Sequence, residues 1–203
     1  MRSLDKPERR LLLDVARCAL ISAVKSTEPV ASPPCDIPCA ELGGAFVTLQ
    51  RRGQLRGCIG EINSKESLVK VIGRCTRAAA LEDPRFRPVR PDELAEINIE
   101  ISVLSEPRES KPEEIEPGKH GLIVSRGYQR GVLLPKVAME HGWATERFLE
   151  ETCVKAGLGP QAWKASGVVI ETFTAEAFGE GDSQPDEGPN SPDRLKRDYS
   201  IST

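Results

Sequence analysis

From Pro7 to Lys25 the apolar residues Leu12, Val15, Ala16, Ala19, Leu20 and Ala23 recur at helical spacing, with Arg and Asp on the other side. This predicts an amphipathic first helix, with Cys18 beside its stripe as ordinary packing. Residues 26 to 41 hold four prolines and no period, so they read as an extended linker. The stretch GAFVTLQRRGQLRGCIGEI then gives two strand-like runs about a turn at Arg52 and Gly53, the pattern of a β-hairpin. A second helix is expected from an N-cap at Ser64, with Leu68, Val71, Ile72, Cys75, Ala78 and Ala79 on one face and Pro84 as its stop.

Residues 97 to 105, INIEISVLS, alternate without a break: Ile97, Ile99, Ile101 and Val103 share one face, and Asn98, Glu100 and Ser102 the other. A Pro/Glu-rich connector over 106–118 is a candidate boundary between lobes. HGLIVSRG and RGVLLP predict a second hairpin turning at Gly127. A short helix is expected to begin at Pro135, and another to run from Thr145 to Ala156, with Phe148, Leu149, Thr152 and Cys153 inward and Gly157 as its stop. Trp143 and Trp163 fit the edge of that second core. VVIETFTAEAF is expected to close the folded part as one strand, and residues 181–203, rich in Gly, Pro, Ser and charge, to form a disordered tail. Strands joined in hairpins favour an α+β fold of mainly antiparallel sheets with flanking helices, in two subdomains, over a parallel doubly wound sheet.

Composition narrows the function classes. Lys+Arg 28 against Asp+Glu 31 leaves a net charge of -3, so no global positive field gathers nucleic acid or an anionic membrane. Aromatics at 4% argue against stacking platforms for single strands. The start carries charges on both sides of a short apolar run and continues in helical period, unlike a secretory signal, and no stretch matches a membrane span. A soluble, cytoplasmic protein is the expectation, and with it six reduced cysteines.

LRGCIG, residues 55–60, is the centre of the candidate chemistry. Strict alternation sets Arg56, Cys58 and Gly60 on one face, which makes Arg56 the cation beside the Cys58 thiol. A nearby cation favours the thiolate, and Gly57 and Gly60 leave room for a ligand or another backbone to approach. On this reading Cys58 is a reactive or ligand-contacting thiol. On the other, the glycines make a bulge or a close strand–helix contact and Cys58 is a small buried hydrophobe. Glu100, on the polar face of the 97–105 strand, is a candidate to orient a guanidinium, bind a cation or act as a base, or else belongs to a solvated outer face. Asp83 and Arg85 are either a loop-borne binding pair or a local ion pair with a cap.

Metal and phosphate signatures fare poorly. Cys35 and Cys39 have C-x3-C spacing, but Leu42 stands where the third thiol of a C-x3-C-x2-C cluster motif belongs. His120 and His141 are far apart with no zinc-binding spacing, and no P-loop, dinucleotide or serine-hydrolase motif is present. The expectation is no metal, and no particular cofactor is indicated.

GAFVTLQRRGQLRGCIGEI, AAALEDPRFRPVRPDELAEINIEISVLSEP, GKHGLIV, GVLLPKVAMEHGW and FLEETCVKAGLGPQAWK, in this order, resemble the AMMECR family over the first helix to about Phe178. The resemblance implies an α+β fold with a larger and a smaller subdomain and the LRGCIG segment near a cleft between them. It also implies a genomic setting with a Memo-type protein and a radical S-adenosylmethionine enzyme as partners. It supplies no reaction. Two functions follow as expectations: a cleft-bearing enzyme or substrate-binding component using Cys58 and Glu100 with Arg56, Gly57, Gly60, Asp83 and Arg85, or a non-catalytic adaptor that docks the same partners.

Overall fold

The computed structural model describes residues 3–26 and 42–183. The proline-rich linker with Cys35 and Cys39, and residues 184–203 of the expected tail, lie outside the described residues.

Helix α1 (Lys6–Lys25) begins with a capping box: Asp5 Oδ1 accepts from the Glu8 amide at 2.8 Å, and Glu8 Oε2 accepts from the Asp5 amide at 3.0 Å. Its buried face holds Leu12, Leu13, Ala16, Leu20 and Ala23. Cys18, two residues from Ala16 and from Leu20, is exposed on the outer side rather than packed in the stripe. The hairpin forms as β1 (Leu42–Arg51) and β2 (Gln54–Ile62), turning through Arg52 (φ 52°) and Gly53 (φ 75°), the two positive φ values of a primed two-residue turn. Helix α2 (Leu68–Leu81) has Ser67 at its N-cap position, with no side-chain capping bond, and not Ser64. The Ser64 hydroxyl instead accepts from the Glu66 amide two residues on, which makes a local turn before the helix.

Strand β3 (Ile97–Ser105) and β8 (Ala175–Gly179) complete an antiparallel sheet in the order β2-β1-β3-β8. Helices α1 and α2 cover one face, where Leu12, Leu20, Leu68 and Ile72 pack with Val47, Leu49, Ile99, Ile101 and Val103. Burying a residue of this size stabilises by about 1.5–3 kcal/mol, so this face dominates the energetics of the first lobe.

The second lobe is a sheet in the order β4-β7-β5-β6: β4 (Arg108–Glu109), β5 (Gly121–Arg126), β6 (Gln129–Leu133) and β7 (Val169–Phe173). Helices α3 (Pro135–His141) and α4 (Thr145–Lys155) accompany it. Leu122, Val124 and Ile170 pack with Phe148, Leu149 and Cys153, and Trp143 and Trp163 rest partly buried on this core. VVIETFTAEAF is two strands, β7 and β8, in different sheets. The chain changes sheet at Thr174, whose carbonyl accepts from the Ser105 amide and whose amide donates to Ser105 Oγ, both at 2.9 Å. These exchanges take the place of ladder bonds at the crossing. The seam between lobes is apolar: Leu104, Ile123, Leu134 and Phe173, with Phe46, Ile62 and Val132.

Gly57 shows how tightly β2 lies on α2. A Cβ there would sit 2.2 Å from the Ala79 carbonyl oxygen, a backbone atom with little room to yield. Gly57→Ala is therefore expected to cost about 2–3 kcal/mol, a fall of roughly 4–12 °C in the unfolding midpoint. Differential scanning calorimetry tests this, and an unchanged midpoint would refute the close-approach account.

Candidate functional site

The geometry of LRGCIG turns on one extra residue. Arg51 pairs with Gln54 and Gln50 with Leu55, but Leu49 pairs with Gly57, so Arg56 has no partner on β1. It is the inserted residue of a β-bulge. Without it, the register continuing from the turn would set Cys58 opposite Val47, whose side chain lies in the helix-covered core. The bulge sets Cys58 opposite Thr48 instead, and Thr48 is opposite Glu100 on β3. Paired residues of antiparallel strands project to the same side, so Cys58, Thr48 and Glu100 form one row on the face away from α1 and α2.

Arg56 holds the bulge in place and is not the cation beside the thiol. Its Nε and Nη2 donate to the two carboxylate oxygens of Glu93 at 2.9 and 3.0 Å, and its Nη1 and Nη2 donate to the carbonyls of Arg87 and Pro88 at 2.9 and 3.2 Å. Glu93 also accepts from Arg51 at 3.1 Å and from the Arg90 amide at 2.9 Å. The Arg56 guanidinium beside this carboxyl is the chief reason that its pKa falls from 4.5 to about 2. Strict alternation failed here because a bulge breaks the two-residue period that it assumes.

Asp83 and Arg85 do reach Cys58, through its backbone first. Asp83 Oδ2 accepts from the Cys58 amide at 2.8 Å, and Arg85 Nη2 donates to the Cys58 carbonyl at 3.1 Å. β2 is an edge strand, and these two side chains complete its hydrogen bonds as a neighbouring strand would. Arg85 also grips Asp83 at 3.0 and 2.7 Å, which holds the buried Asp83 carboxyl down at about 2. The outer part of Arg85 is solvent-accessible and lies within electrostatic reach of the Cys58 thiol. The local ion pair and the contact with the candidate thiol are thus one arrangement.

The glycines serve packing. Gly57 admits the α2 backbone, and a Cβ on Gly60 would lie 2.2 Å from the Phe46 ring. Cys58 is nonetheless only half-buried, and the Thr48 hydroxyl donates to its Sγ at 3.4 Å. Glu100 does not face Arg56: its Oε1 accepts from Lys136 Nζ, at the start of α3 in the second lobe. Lys155, at the end of α4, has its pKa lowered chiefly by burial, with the charges of Cys58 and Arg85 acting in opposite senses. Thr48, Glu93 and Lys136 were not visible in the sequence as site residues. The alternation around Thr48 hinted at its face, whereas Glu93 and Lys136 carried no local signal. Among the described residues there is no group of three or more His, Cys, Asp or Glu able to hold a metal, and no helix long and apolar enough to cross a membrane.

Glu93 and Asp83 have depressed pKa values, so the stability they contribute is complete above their unfolded values and is lost as pH falls through the folded ones. The window runs from about pH 4.5 down to about 2. Glu93→Gln is expected to lower stability at pH 7 by about 2–3 kcal/mol and to flatten the stability curve below pH 4.5. Urea unfolding followed by circular dichroism across that range measures both, and an unaltered slope would contradict the role given to Glu93.

The AMMECR1 family profile matches residues 13–178. A protein of Methanothermobacter thermautotrophicus is 39% identical over 186 residues, covering 87% of this chain and 96% of the relative. One of Pyrococcus furiosus is 42% identical over 182 residues, covering 83% of this chain and 86% of the relative. The crystal structure of an uncharacterised protein from Pyrococcus horikoshii superposes with a TM-score of 0.75 at 37% identity, covering 83% of this chain and 89% of that one. Matches of this extent take in both sheets and the Cys58 row, and the chain belongs to the AMMECR1 family.

Proposed function

We propose that the protein is an enzyme or substrate-binding component that works through the Cys58 thiol, with Glu100 and Arg85 at the same site and Asp83 fixing the strand beneath it. The observation that carries this reading is the row Cys58–Thr48–Glu100 on the face turned to the second lobe, with a hydroxyl donating to the sulfur. A thiol serving only as packing has no need of a hydrogen-bond donor, a half-open position and an arginine in reach. Sites of this kind gather at seams between subdomains, where groups from distant parts of a chain converge. Arg56, Gly57 and Gly60 support the site by shaping β2, and take no direct part in binding.

Memo-type and radical S-adenosylmethionine proteins are the partners proposed for this activity. A second reading makes the chain an adaptor that docks those partners. The observation in its favour is Tyr128, fully exposed at the tip of the β5–β6 hairpin, with Val169 partly exposed at the same end of the sheet.

Alkylation by iodoacetamide, read cysteine by cysteine by mass spectrometry, separates the two. Cys58 is expected to label rapidly near pH 7. Cys75, pushed up to about 12 by burial, and Cys153, also raised by burial, are expected to stay unmodified in the native protein. Cys58→Ser is expected to abolish complementation of a deletion strain. Labelling of Cys58 no faster than an unstructured thiol, together with full complementation by Cys58→Ser, would end the thiol reading and leave the adaptor.

A further inference from the structure

Arg85 is held on three sides and open on the fourth. Its Nε and Nη2 donate to the two oxygens of Asp83 at 3.0 and 2.7 Å, and its Cζ lies 5.5 Å from the centre of the Phe86 ring. The Cys58 carbonyl accepts from Nη2 at 3.1 Å, and because a guanidinium is planar it takes the proton on the edge that Nη2 shares with Nη1. Nη1 therefore stands on the edge turned to Cys58, and it makes no hydrogen bond among the described residues. The Arg85 side chain is 53% exposed, whereas the Asp83 side chain that fixes it is 2% exposed. A charged donor held rigid beside the thiol is left with an unused nitrogen.

Ser102 points to a ligand independently. It lies on the same face as Cys58, Thr48 and Glu100, opposite Phe46 and two residues from Glu100, and is 3% exposed. Its hydroxyl has no hydrogen-bond partner among the described residues, at a depth where such groups are normally paired. Thr48, equally buried, spends its proton on the Cys58 sulfur. A polar molecule lying along the face supplies the partner that the fold does not.

We propose that this face binds a carboxylate-bearing substrate, with the carboxylate on Arg85 Nη1 and the carbon to be modified beside the Cys58 sulfur. This deepens the reading of Cys58 as a working thiol and rests on it. The class of ligand follows from the donors. Asp83 and the Cys58 carbonyl use three of the five N–H groups of Arg85, the other two are both on Nη1, and a guanidinium has no acceptor to offer. A carboxylate oxygen meets such a donor in a charge-assisted bond, roughly twice as strong as one between neutral groups. Asp83 offsets the charge of Arg85, so selectivity comes from the directed N–H groups and not from a broad positive field.

Paired alkylation of the full chain at pH 7 tests this, with iodoacetate as the carboxylate reagent and iodoacetamide as its neutral counterpart, each read cysteine by cysteine by mass spectrometry. Both reagents meet the same thiolate, so the ratio of their rates does not depend on how far the thiol is ionised. The iodoacetate-to-iodoacetamide ratio at Cys58 is expected to exceed that at the exposed Cys18 by about tenfold. Sodium acetate is expected to protect Cys58 from iodoacetate more than sodium chloride of equal ionic strength, which removes simple screening from the comparison. Arg85→Gln, checked for folding by circular dichroism, is expected to bring the ratio down to that at Cys18, and if this variant unfolds the acetate comparison in the parent still decides. A Cys58 that iodoacetamide labels with only the ratio of Cys18 overturns the carboxylate assignment and leaves the thiol reading standing, as does protection by acetate no greater than by chloride. A raised ratio that persists in folded Arg85→Gln overturns the part given to Arg85. A parent Cys58 that neither reagent labels overturns both readings.

Discussion

The site depends on the grip of Glu93 on Arg56. One carboxylate, almost sealed from solvent, takes the Nε–Nη2 edge of that guanidinium with its two oxygens, and two loop carbonyls accept from Nη1 and Nη2. This fixes an extra residue in β2 ahead of the cysteine. Because side chains in a strand alternate, one inserted residue moves every later position to the opposite face. Cys58 is carried out of the helix-covered core to stand beside Thr48, and Gly57 is turned to meet α2. A buried ion pair of this kind is weak support for overall stability, since desolvation offsets much of its attraction. Its effect here is on register: with the bulge Ile59 falls opposite Val47 against the core, and Cys58 opposite Thr48 on the other face.

An edge strand carrying a half-open thiol has two liabilities, unpaired backbone groups and unspecific packing. The 82–90 loop meets the first: Asp83 and Arg85 take the outward amide and carbonyl of Cys58 and so anchor its backbone from the side on which β2 has no strand neighbour. The second lobe meets the other. Its apolar seam with Phe46, Ile62 and Leu104 fixes the two sheets against each other, and Lys136 comes with it to Glu100 on the same face. Two cysteines show what the alternative would be. Cys75 and Cys153 lie within the two cores, where burial raises their pKa values and keeps them as thiols.

Much of the fold was legible because each element carries its own period. The 97–105 alternation, the Arg52–Gly53 turn, the Gly127 turn and the helices at Pro135 and Thr145 all stand where their patterns put them. Misreadings came where a local rule met a competing local bond or a tertiary demand. Ser64 makes a turn before the helix starts after Ser67, and VVIETFTAEAF is divided at Thr174 because its two halves serve different sheets. At the site, Cys58, Glu100, Asp83 and Arg85 were all singled out, yet their relations were not. Alternation pairs Arg56 with Cys58 and leaves Glu100 open to a guanidinium, whereas the neighbours are Arg85 for the thiol and Lys136 for the carboxylate.

The sequence by itself determined most of the secondary structure and the antiparallel hairpins, and it marked Cys58 as the candidate thiol, since each is written in spacings of a few residues. Only the tertiary structure decided which way that thiol faces and which charges surround it. The facing rests on a bulge held by Glu93, which is 37 residues from Arg56 in the chain. The charges come from Arg85 in the 82–90 loop and from Lys136 on α3 of the other lobe. Alternation cannot foresee an unpaired residue, and no local pattern records which distant helix end folding will bring against a strand.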